Sequence, residues 1–453
     1  MRTPIADFVK EYAEKKGGRF HMPGHKGQAF LGCESFDITE ISGADALYEA
    51  EGIIAESEKN ATKLFGTART LFSVEGSSQC IRAMITLAEG YWQEKYRVKD
   101  RPYVIAARNV HKAFIYAAAL VDFDVVWLYP QEMHSLCSCH VTAMQLETEL
   151  KKQIKDRNGV PPMAVYVTSP DYLGGQLDIA TLAEVSHRYN SILLVDNAHG
   201  AYLHFLEESL HPMDLGADMC CDSAHKTLPV LTGGAYLQIS KSAPDYFKNN
   251  AKQAMVLFGT TSPSYLVLAS LDLCNHYLEN GYKERLMKTV KKIADVRKEL
   301  RQLGWRVEKT EPLKLTIQSS ADMSGVEIAK QLRGAGIECE YADEQYLVLM
   351  VSPENTMEDF ENLMQVLGKK QARPQTDIVL SPVYCEQKIT IRQAIFGIQE
   401  SVSIEASLGK ICGTPTVSCP PAIPIVVAGE EINEDAIRLF KYYDVDTVYV
   451  ISN

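Results

Sequence analysis

The sequence predicts an α/β protein whose main sheet is largely parallel and carries helices on both faces. Two patterns predict it. Apolar runs of strand length alternate with segments of helical periodicity between about residue 37 and residue 280, and polar residues directly follow several of the runs. Such alternation is typical of parallel sheets, which place their functional groups at the carboxyl ends of the strands.

The composition excludes several classes of protein. The chain has 453 residues, with 46 Lys and Arg against 58 Asp and Glu, and a formal charge of −12. An acidic balance without a basic block argues against nucleic-acid and anionic-membrane partners. Eleven scattered Cys residues are typical of reduced thiols rather than of a secreted disulfide framework. The first residues lack the apolar core of a signal peptide, and we find no run long enough to span a membrane, so we expect a cytoplasmic protein.

The first element is a short amphipathic arm. Apolar residues at helical spacing from Ile5 to Tyr12 predict a helix, with Thr3 as its N-cap and Gly17 at its end. The predicted strands that follow are residues 103–106, 125–129, 164–168, 192–196, 217–222 and 235–239. The predicted helices among them are residues 53–65, 80–88, 111–120 and 181–189. These elements make up the main sheet and its covering layers.

The later part of the chain predicts smaller units. A long charged helix over residues 282–303 precedes strand patterns at 314–317 and 346–351 and helical patterns at 325–332 and 357–367. The polar segment GKKQARPQTD then suggests a boundary near residue 372. We therefore predict an N-terminal arm at 1–35, a large domain at 36–280, a small α/β domain at 281–372 and a C-terminal domain at 373–453.

Two apolar runs are followed by charged residues that could act together in one site. SILLVDNAHG is an apolar strand that ends at Asp196, and GADMCCDSAHKTLP is a second apolar run that leads to Lys226. Alone, Asp196 could be a paired structural carboxylate, and Lys226 could extend to solvent or form a Schiff base. Together they match the needs of pyridoxal phosphate, namely an amine for the imine and a carboxylate that keeps the pyridine nitrogen protonated.

A phosphate site and a stacking residue would complete such a centre. Gly76, Ser77 and Ser78 stand just before a helical pattern, where amides, hydroxyls and the helix dipole can bind a dianion. An ordinary serine N-cap is the alternative. His111 follows a predicted strand and could stack on the cofactor ring, although a lone histidine is more often structural. Three further hydroxyls precede another helix: Thr260, Thr261 and Ser262.

Other cofactor devices are not supported by the sequence. Neither G-x-x-x-x-G-K-[ST] nor G-x-G-x-x-G after a strand occurs. Cys137, Cys139 and His140 form the cluster with metal-ligand residue types, but no second pair at zinc-site spacing accompanies them. We therefore predict that the protein has no metal site.

Several blocks resemble a known family. HMPGHKG, RNVHKA, VDNAHG, SAHKTLP, TTSPSYLVLAS and EASLGKI…CPPAIPIVVAGEEI occur in the order seen in the Orn/Lys/Arg decarboxylases of the aspartate aminotransferase fold. The similarity extends from about residue 20 to residue 450. It is greatest to the compact members that lack an N-terminal wing domain. The resemblance implies an aspartate-aminotransferase-like large domain with smaller α/β domains after it.

The resemblance also implies roles for individual residues. Lys226 matches the lysine that bonds to the cofactor, Asp196 the partner of the pyridine nitrogen and His111 the stacked imidazole. The other expected cofactor contacts are Gly76, Ser77, Ser78, Ala198, Ser223 and His225. Thr260, Thr261 and Ser262 resemble a phosphate-binding loop that the neighbouring subunit donates, which implies a homodimer or a higher homo-oligomer.

Some positions depart from the family pattern, and they leave the substrate open. Asn197 stands where relatives usually have Glu, Cys419 where they have Tyr, and Ala422 where they have Gly. Ala428 likewise replaces the usual Pro before Gly429 and Glu430. The last three departures lie in blocks that, by resemblance, shape the substrate end of the pocket.

The expected function is decarboxylation of lysine, ornithine or arginine, which releases carbon dioxide and a di- or polyamine. Glu405 and Glu430 are candidates for binding the distal cation of the substrate, although exposed carboxylates without that role are an equal alternative. Another reaction on the same cofactor, such as transamination or cyclisation, remains open. So does a degenerate regulator that only binds pyridoxal phosphate.

Overall fold

The computed structural model describes residues 1–15, 17–97, 99–368, 379–415 and 422–452. The chain divides into two compact units. The first unit comprises Met1–Lys95 and Ile192–Leu286, and the second comprises Tyr96–Ser191 and Met287–Asn453. The predicted domain boundaries near residues 35 and 280 stay predictions, and the one near residue 372 lies outside the described residues.

Twelve strands and fourteen α-helices are present in the described residues. The strands are β1 (Arg69–Ser73), β2 (Tyr103–Ala107), β3 (Asp124–Leu128), β4 (Ala164–Thr168), β5 (Leu193–Asp196), β6 (Met219–Asp222), β7 (Ala235–Ile239), β8 (Lys314–Gln318), β9 (Tyr341–Ala342), β10 (Tyr346–Met350), β11 (Gln399–Ser403) and β12 (Thr447–Ile451). The helices are α1 (Pro4–Glu14), α2 (Ile53–Phe65), α3 (Gly76–Tyr96), α4 (Lys112–Val121), α5 (Ala143–Asp156), α6 (Ile179–Arg188), α7 (Ala224–Thr227), α8 (Asp245–Val256), α9 (Tyr265–Glu279), α10 (Tyr282–Gln302), α11 (Gly325–Gly334), α12 (Met357–Leu367), α13 (Ile391–Phe396) and α14 (Glu434–Tyr442).

The predicted α/β class is confirmed, and each strand predicted for the main sheet is present. β1 was not predicted from the sequence. Its five residues, RTLFS, include three polar ones, so the segment lacks the apolar run that marks β2 or β5. It is nevertheless almost wholly buried, because it pairs antiparallel with β7 over its full length.

The first unit holds four strands of the main sheet in the order β1-β7-β6-β5. β7 is antiparallel to both of its neighbours, whereas β5 and β6 are parallel, with Asp196 opposite Cys221. Because β5 and β6 run in the same direction, their carboxyl ends lie at one edge of the sheet. The residues that follow Asp196 and Asp222 are therefore brought together.

The N-terminal arm forms α1, which buries Ile5, Ala6 and Val9. Thr3 occupies the N-cap position, as the sequence predicts. Its side chain, however, does not cap the helix. Its hydroxyl donates instead to the Asp7 carboxylate at 2.9 Å. Asp272 on α9 takes over the capping function, since its carboxylate accepts from the backbone N–H groups of the first turn of α1.

The second unit holds three strands of the main sheet in the order β4-β2-β3, and both pairs are parallel. It also contains a three-stranded antiparallel sheet, β8-β10-β9, and the antiparallel pair β11-β12. The chain leaves β2 toward the segment that contains His111 and α4. Among the described helices, none combines the length and the apolar character that crossing a membrane requires.

Candidate active site

Asp196 ends β5 with its side chain almost fully buried, at 2 % exposure. Its Oδ1 accepts a hydrogen bond from the Ala198 N–H at 3.2 Å and lies 3.5 Å from the Cys221 thiol, which donates to it. Donors of this kind offset the cost of burying a carboxylate. The structure thus places a buried, hydrogen-bonded carboxylate at the strand end, as the cofactor's ring nitrogen would require.

Lys226 lies in the short turn α7, four residues after the end of β6. Its Nζ is 2.9 Å from Nε2 of His199, and the His199 side chain is buried. An amine and an imidazole at this distance form a hydrogen bond, through which a proton can pass between Lys226 and His199. His199 was not predicted as a site residue from the sequence, although its position three residues after Asp196 was an available signal.

Ser223 and Ser77 meet at the expected phosphate site. The Ser223 hydroxyl donates to Ser77 Oγ at 2.9 Å, which links the end of β6 to the first turn of α3. Gly76 begins α3 with a φ of +69°, a conformation that favours glycine, and its N–H donates to Gly233. Ser78 is half-buried in the same turn. Two hydroxyls and the amino end of a 21-residue helix form a suitable donor set for a phosphate.

His225 and the later hydroxyls have other surroundings. His225 Nδ1 lies 2.9 Å from the carbonyl oxygen of Gly234, so Nδ1 carries the proton of that bond. Thr261 and Ser262 are exposed in the segment between α8 and α9, and the Ser262 N–H donates to Thr260 Oγ1 at 3.1 Å. The predicted contact of these hydroxyls with a phosphate stays a prediction.

The residues of the first unit fit pyridoxal phosphate by the chemistry of their donors. They supply an amine, a buried carboxylate and a pair of serine hydroxyls at a helix terminus. The Thr227 hydroxyl, next to Lys226, is buried without a hydrogen-bond partner among the described residues. A bound ligand commonly satisfies such a group.

His111 belongs to the second unit, where it caps α4. Its Nδ1 accepts from the Ala113 N–H at 3.1 Å, which fixes the orientation of the imidazole and leaves the proton of the neutral ring on Nε2. The next residue, Lys112, donates its N–H to the carbonyl oxygen of Ala422 at 3.0 Å. Ala422 has a φ of +61°, the conformation that the usual glycine would adopt most easily. Cys419, the other departure in that block, lies outside the described residues.

Glu430 and Glu405 differ strongly in their surroundings. Glu430 is 1 % exposed, and its Oε2 lies 3.4 Å from Arg108 Nη2 and accepts from the Val427 N–H at 2.7 Å. Burial raises the pKa of Glu430, while Arg108 and the backbone bond oppose that rise. Glu405 is exposed and lies 3.3 Å from the Lys441 amine. A backbone hydrogen bond and Lys441 lower the pKa of Glu405.

The cysteine cluster seen in the sequence is buried. Cys137 and Cys139 are at most 3 % exposed, and burial raises the pKa of the Cys137 thiol to about 12 and that of Cys139 to about 11. Neutral thiols of this kind are poor metal ligands and poor nucleophiles. His140, by contrast, is exposed.

Sequence comparisons find similarity to one family of enzymes. The family model described as "Orn/Lys/Arg decarboxylase, major domain" matches residues 3–322. The arginine decarboxylase of Bacillus subtilis (strain 168) is 28% identical over 98% of this chain and 94% of its own. The arginine decarboxylase of Bacillus anthracis is 26% identical over 97% of this chain and 92% of its own. An uncharacterized protein of Bacillus subtilis (strain 168), YaaO, is 27% identical over 97% of this chain and 93% of its own.

Solved structures share the fold. The Francisella novicida lysine decarboxylase LdcF superposes with a TM-score of 0.82 at 18% identity, covering 99% of this chain and 81% of that one. The constitutive lysine decarboxylase of E. coli gives 0.81 at 16% identity, covering 100% and 82%. The serine palmitoyltransferase of Sphingomonas wittichii gives 0.56 at 14% identity, covering 81% and 83%.

Proposed function

We propose that this chain, which belongs to the Orn/Lys/Arg decarboxylase family, releases carbon dioxide from arginine and leaves the corresponding amine, a polyamine precursor. The chain is a pyridoxal-phosphate-dependent decarboxylase that acts on a basic amino acid. The choice of arginine is supported by the sequence relatives: the two described above that have a named activity, both from Bacillus species, are arginine decarboxylases.

The observation that carries the mechanism is the position of Asp196 at the end of β5 and of Lys226 in the turn α7, which follows the neighbouring parallel strand β6. Lys226 would hold the cofactor covalently, and Asp196 would hold the proton of its ring nitrogen. Ser77, Ser78 and Ser223 would bind the phosphate together with the amides of α3. When bound, the cofactor supplies an electron-withdrawing ring that lowers the barrier to losing carbon dioxide from Cα.

The Lys226–His199 pair handles protons at the reacting carbon in this proposal. Loss of carbon dioxide leaves the electron pair of the broken bond to be matched by a proton at Cα. The Lys226 amine can donate that proton, and His199 Nε2, at 2.9 Å, can restore it. The same contact lets His199 remove a proton from Lys226 whenever the amine must act as a nucleophile.

The two acidic candidates take different parts. Glu430 is engaged by Arg108, whose guanidinium also donates to the carbonyl oxygens of Pro424 and Ile425. We therefore assign Glu430 to holding Arg108, and we retain Glu405 as the candidate that contacts the distal cation of the substrate. His111 keeps its proposed role of stacking on the cofactor ring, with its ring orientation set by the Ala113 N–H.

A homodimer is part of the proposal. Thr261 and Ser262 are exposed in this chain, as hydroxyls donated to a neighbouring subunit's phosphate site would be. Size measurement in solution tests this point, and a monomer that is fully active would contradict it.

The proposed function is tested by an amine-product assay. Purified protein with added cofactor is supplied with arginine, lysine or ornithine, and carbon dioxide and amine are measured together. We expect both products from arginine at the highest kcat/KM. A preference for lysine or ornithine would change the substrate assignment, and amine transfer without carbon dioxide would overturn the decarboxylation.

A further inference from the structure

A second buried carboxylate lies one strand away from Asp196. Asp222 is the last residue of β6, and its side chain is 0 % exposed. Its Oδ1 accepts from the Asn197 carboxamide at 2.6 Å, and its Oδ2 accepts from the Gln238 carboxamide at 2.9 Å. His211 Nε2 lies 3.2 Å from the same Oδ2. Three side chains from different segments thus converge on one buried carboxylate.

The contacts of His211 settle which partner donates. The Met213 N–H donates to His211 Nδ1 at 3.3 Å, so Nδ1 is an acceptor and the ring proton lies on Nε2. Nε2 therefore donates to Asp222. The histidine is neutral in this arrangement, and the carboxylate is an anion that accepts three hydrogen bonds, which is how a buried charge is usually stabilised.

A metal ion is the other reading of this cluster. His211, Cys220 and Asp222 have potential ligand atoms within 4.8 Å of one another. A metal on Nε2 of a neutral histidine needs the proton on Nδ1, where it would face the Met213 N–H. The hydrogen bonds from Asn197 and Gln238 also occupy both carboxylate oxygens. A hydrogen-bond network therefore explains the cluster better than a metal does.

Asn197 connects this network to Asp196. It is the next residue in the chain, it is 0 % exposed, and its N–H donates to the carbonyl oxygen of Cys221 at 3.0 Å. Its side-chain oxygen lies where a Cβ on Gly200 would collide with it, so the absence of a side chain at Gly200 makes room for Asn197. The backbone and the side chain of Asn197 are thus both fixed to β6. The peptide that carries Asp196 has little freedom to turn.

We propose that Asn197 and Asp222 form a positioning pair that fixes the Asp196 carboxylate toward the ring nitrogen of the cofactor. The proposal rests on the proposed function, because it takes Asp196 to be the partner of that nitrogen. Neither residue of the pair touches the cofactor in this role. A donor is required at position 197, because an ionised carboxylate there would lie beside Asp222 and repel it.

The test compares the deletion of two carboxamides that bind the same carboxylate. Asn197→Ala removes the donor to Oδ1 beside Asp196, and the matched control Gln238→Ala removes the donor to Oδ2 on β7. The readout is the nuclear magnetic resonance shift of cofactor labelled at its ring nitrogen, which reports whether that nitrogen is protonated. It is measured in the holoenzyme without substrate, with thermal stability recorded in parallel.

We expect both variants to lose stability, but only Asn197→Ala to shift the ring-nitrogen signal toward the unprotonated form. Its kcat should fall about tenfold or more with a nearly unchanged KM. An equal shift of the ring-nitrogen signal in both variants would contradict the proposal, because it would show that Asn197 has no specific effect on Asp196. An unshifted signal in Asn197→Ala would overturn the proposal.

A second variant keeps the test decisive if Asn197→Ala does not fold. Asn197→Asp can donate the same hydrogen bond while its new carboxyl group is protonated, and it loses that bond when the group ionises. We expect a ring-nitrogen signal that matches the parent at low pH and departs from it as the pH rises. A signal that follows the parent at every pH would contradict the proposal. Because no substrate is present, this outcome is independent of which amino acid is decarboxylated, or whether any is.

Discussion

Lys226 Nζ and His199 Nε2 lie 2.9 Å apart, although 27 residues separate them in the chain. The contact joins the turn after β5 to the turn after β6. It places a proton acceptor beside the amine that must lose a proton before it can act as a nucleophile. The first two predictions test the two members of this pair.

For Lys226→Ala, we expect the loss of the absorption band that arises when the cofactor bonds to a lysine, together with the loss of decarboxylation. The amine is the group that forms this bond, and alanine cannot replace it. The measurement is the visible spectrum of the purified protein. Lys241→Ala, at an exposed position, is the control and should keep the band. A band that persists in Lys226→Ala would place the bond at another lysine.

For His199→Gln, we expect cofactor binding to persist while kcat falls about 100-fold and its pH profile changes, because glutamine cannot exchange a proton with Lys226. The measurement is kcat against pH with the preferred substrate. His204→Gln is the matched control. The ring nitrogens of His204 contact Asp214 and the Leu64 carbonyl oxygen instead. A parent-like profile in His199→Gln would exclude the proton-transfer role.

For Asp196→Asn, we expect retained cofactor binding and a loss of turnover of about 100-fold or more, because an amide stabilises the protonated ring nitrogen poorly. Cofactor content and kcat are the measurements. Asp218→Asn serves as the control. Asp218 is a buried carboxylate that directly precedes β6 and accepts a hydrogen bond from the Leu193 N–H. It should lose stability without a comparable loss of turnover per bound cofactor. Near-parent turnover in Asp196→Asn would reject its assigned role.

For Glu430→Gln, we expect the free energy of unfolding to fall by about 3 kcal/mol, because the variant leaves the buried Arg108 guanidinium without its counter-ion. Denaturant unfolding measures the change. Glu405→Gln removes only an exposed contact with Lys441, which solvent screens, so this variant should unfold at nearly the same denaturant concentration as the parent. Because Glu405 is the candidate contact for the distal cation of the substrate, this second variant should also raise KM. Equal stability losses would mean that the Arg108 contact is energetically unimportant.

Asp272 gives the stability of the first unit a dependence on pH. Burial raises the pKa of its carboxyl from 3.8 to about 6, although hydrogen bonds from Ser57, Ala6 and Ile5 oppose the rise. The folded state therefore binds the proton more tightly than the unfolded state does. The resulting stabilisation is fully present below about pH 4 and is lost as the pH rises through about 6.

The corresponding prediction concerns Asp272→Asn. The parent should lose about 2 kcal/mol of unfolding free energy from this group between about pH 4 and pH 7, and the variant should not. The measurement is the difference between the unfolding free energies of parent and variant across that range. This difference cancels the other titrating groups. Parallel curves for the two proteins would show that Asp272 does not titrate in this window.

Local patterns in the sequence were sufficient for most of the fold. The apolar runs that became β2 and β4 to β7, and the periodic segments that became α2 and α10, carry their own signal in consecutive residues. β1 was missed because its burial depends on pairing with β7, which lies far away in the chain. Its residue Ser73 pairs with Ala235, 162 positions later. Thr3 was predicted correctly as the N-cap position but wrongly as the capping group, since the cap is supplied by Asp272 from α9.

The sequence by itself determined the fold class and indicated Asp196 and Lys226. Each stands at or just after the end of an apolar run, where a charged side chain is costly to bury unless it has a partner or a function. Tertiary structure decided how those residues are held. The contacts of His199 with Lys226, of Asn197 with Asp222 and of Arg108 with Glu430 join residues 27, 25 and 322 positions apart. Such pairs are set by strand register and by the path of the connecting chain, and neither quantity is encoded in the spacing of residues along one strand.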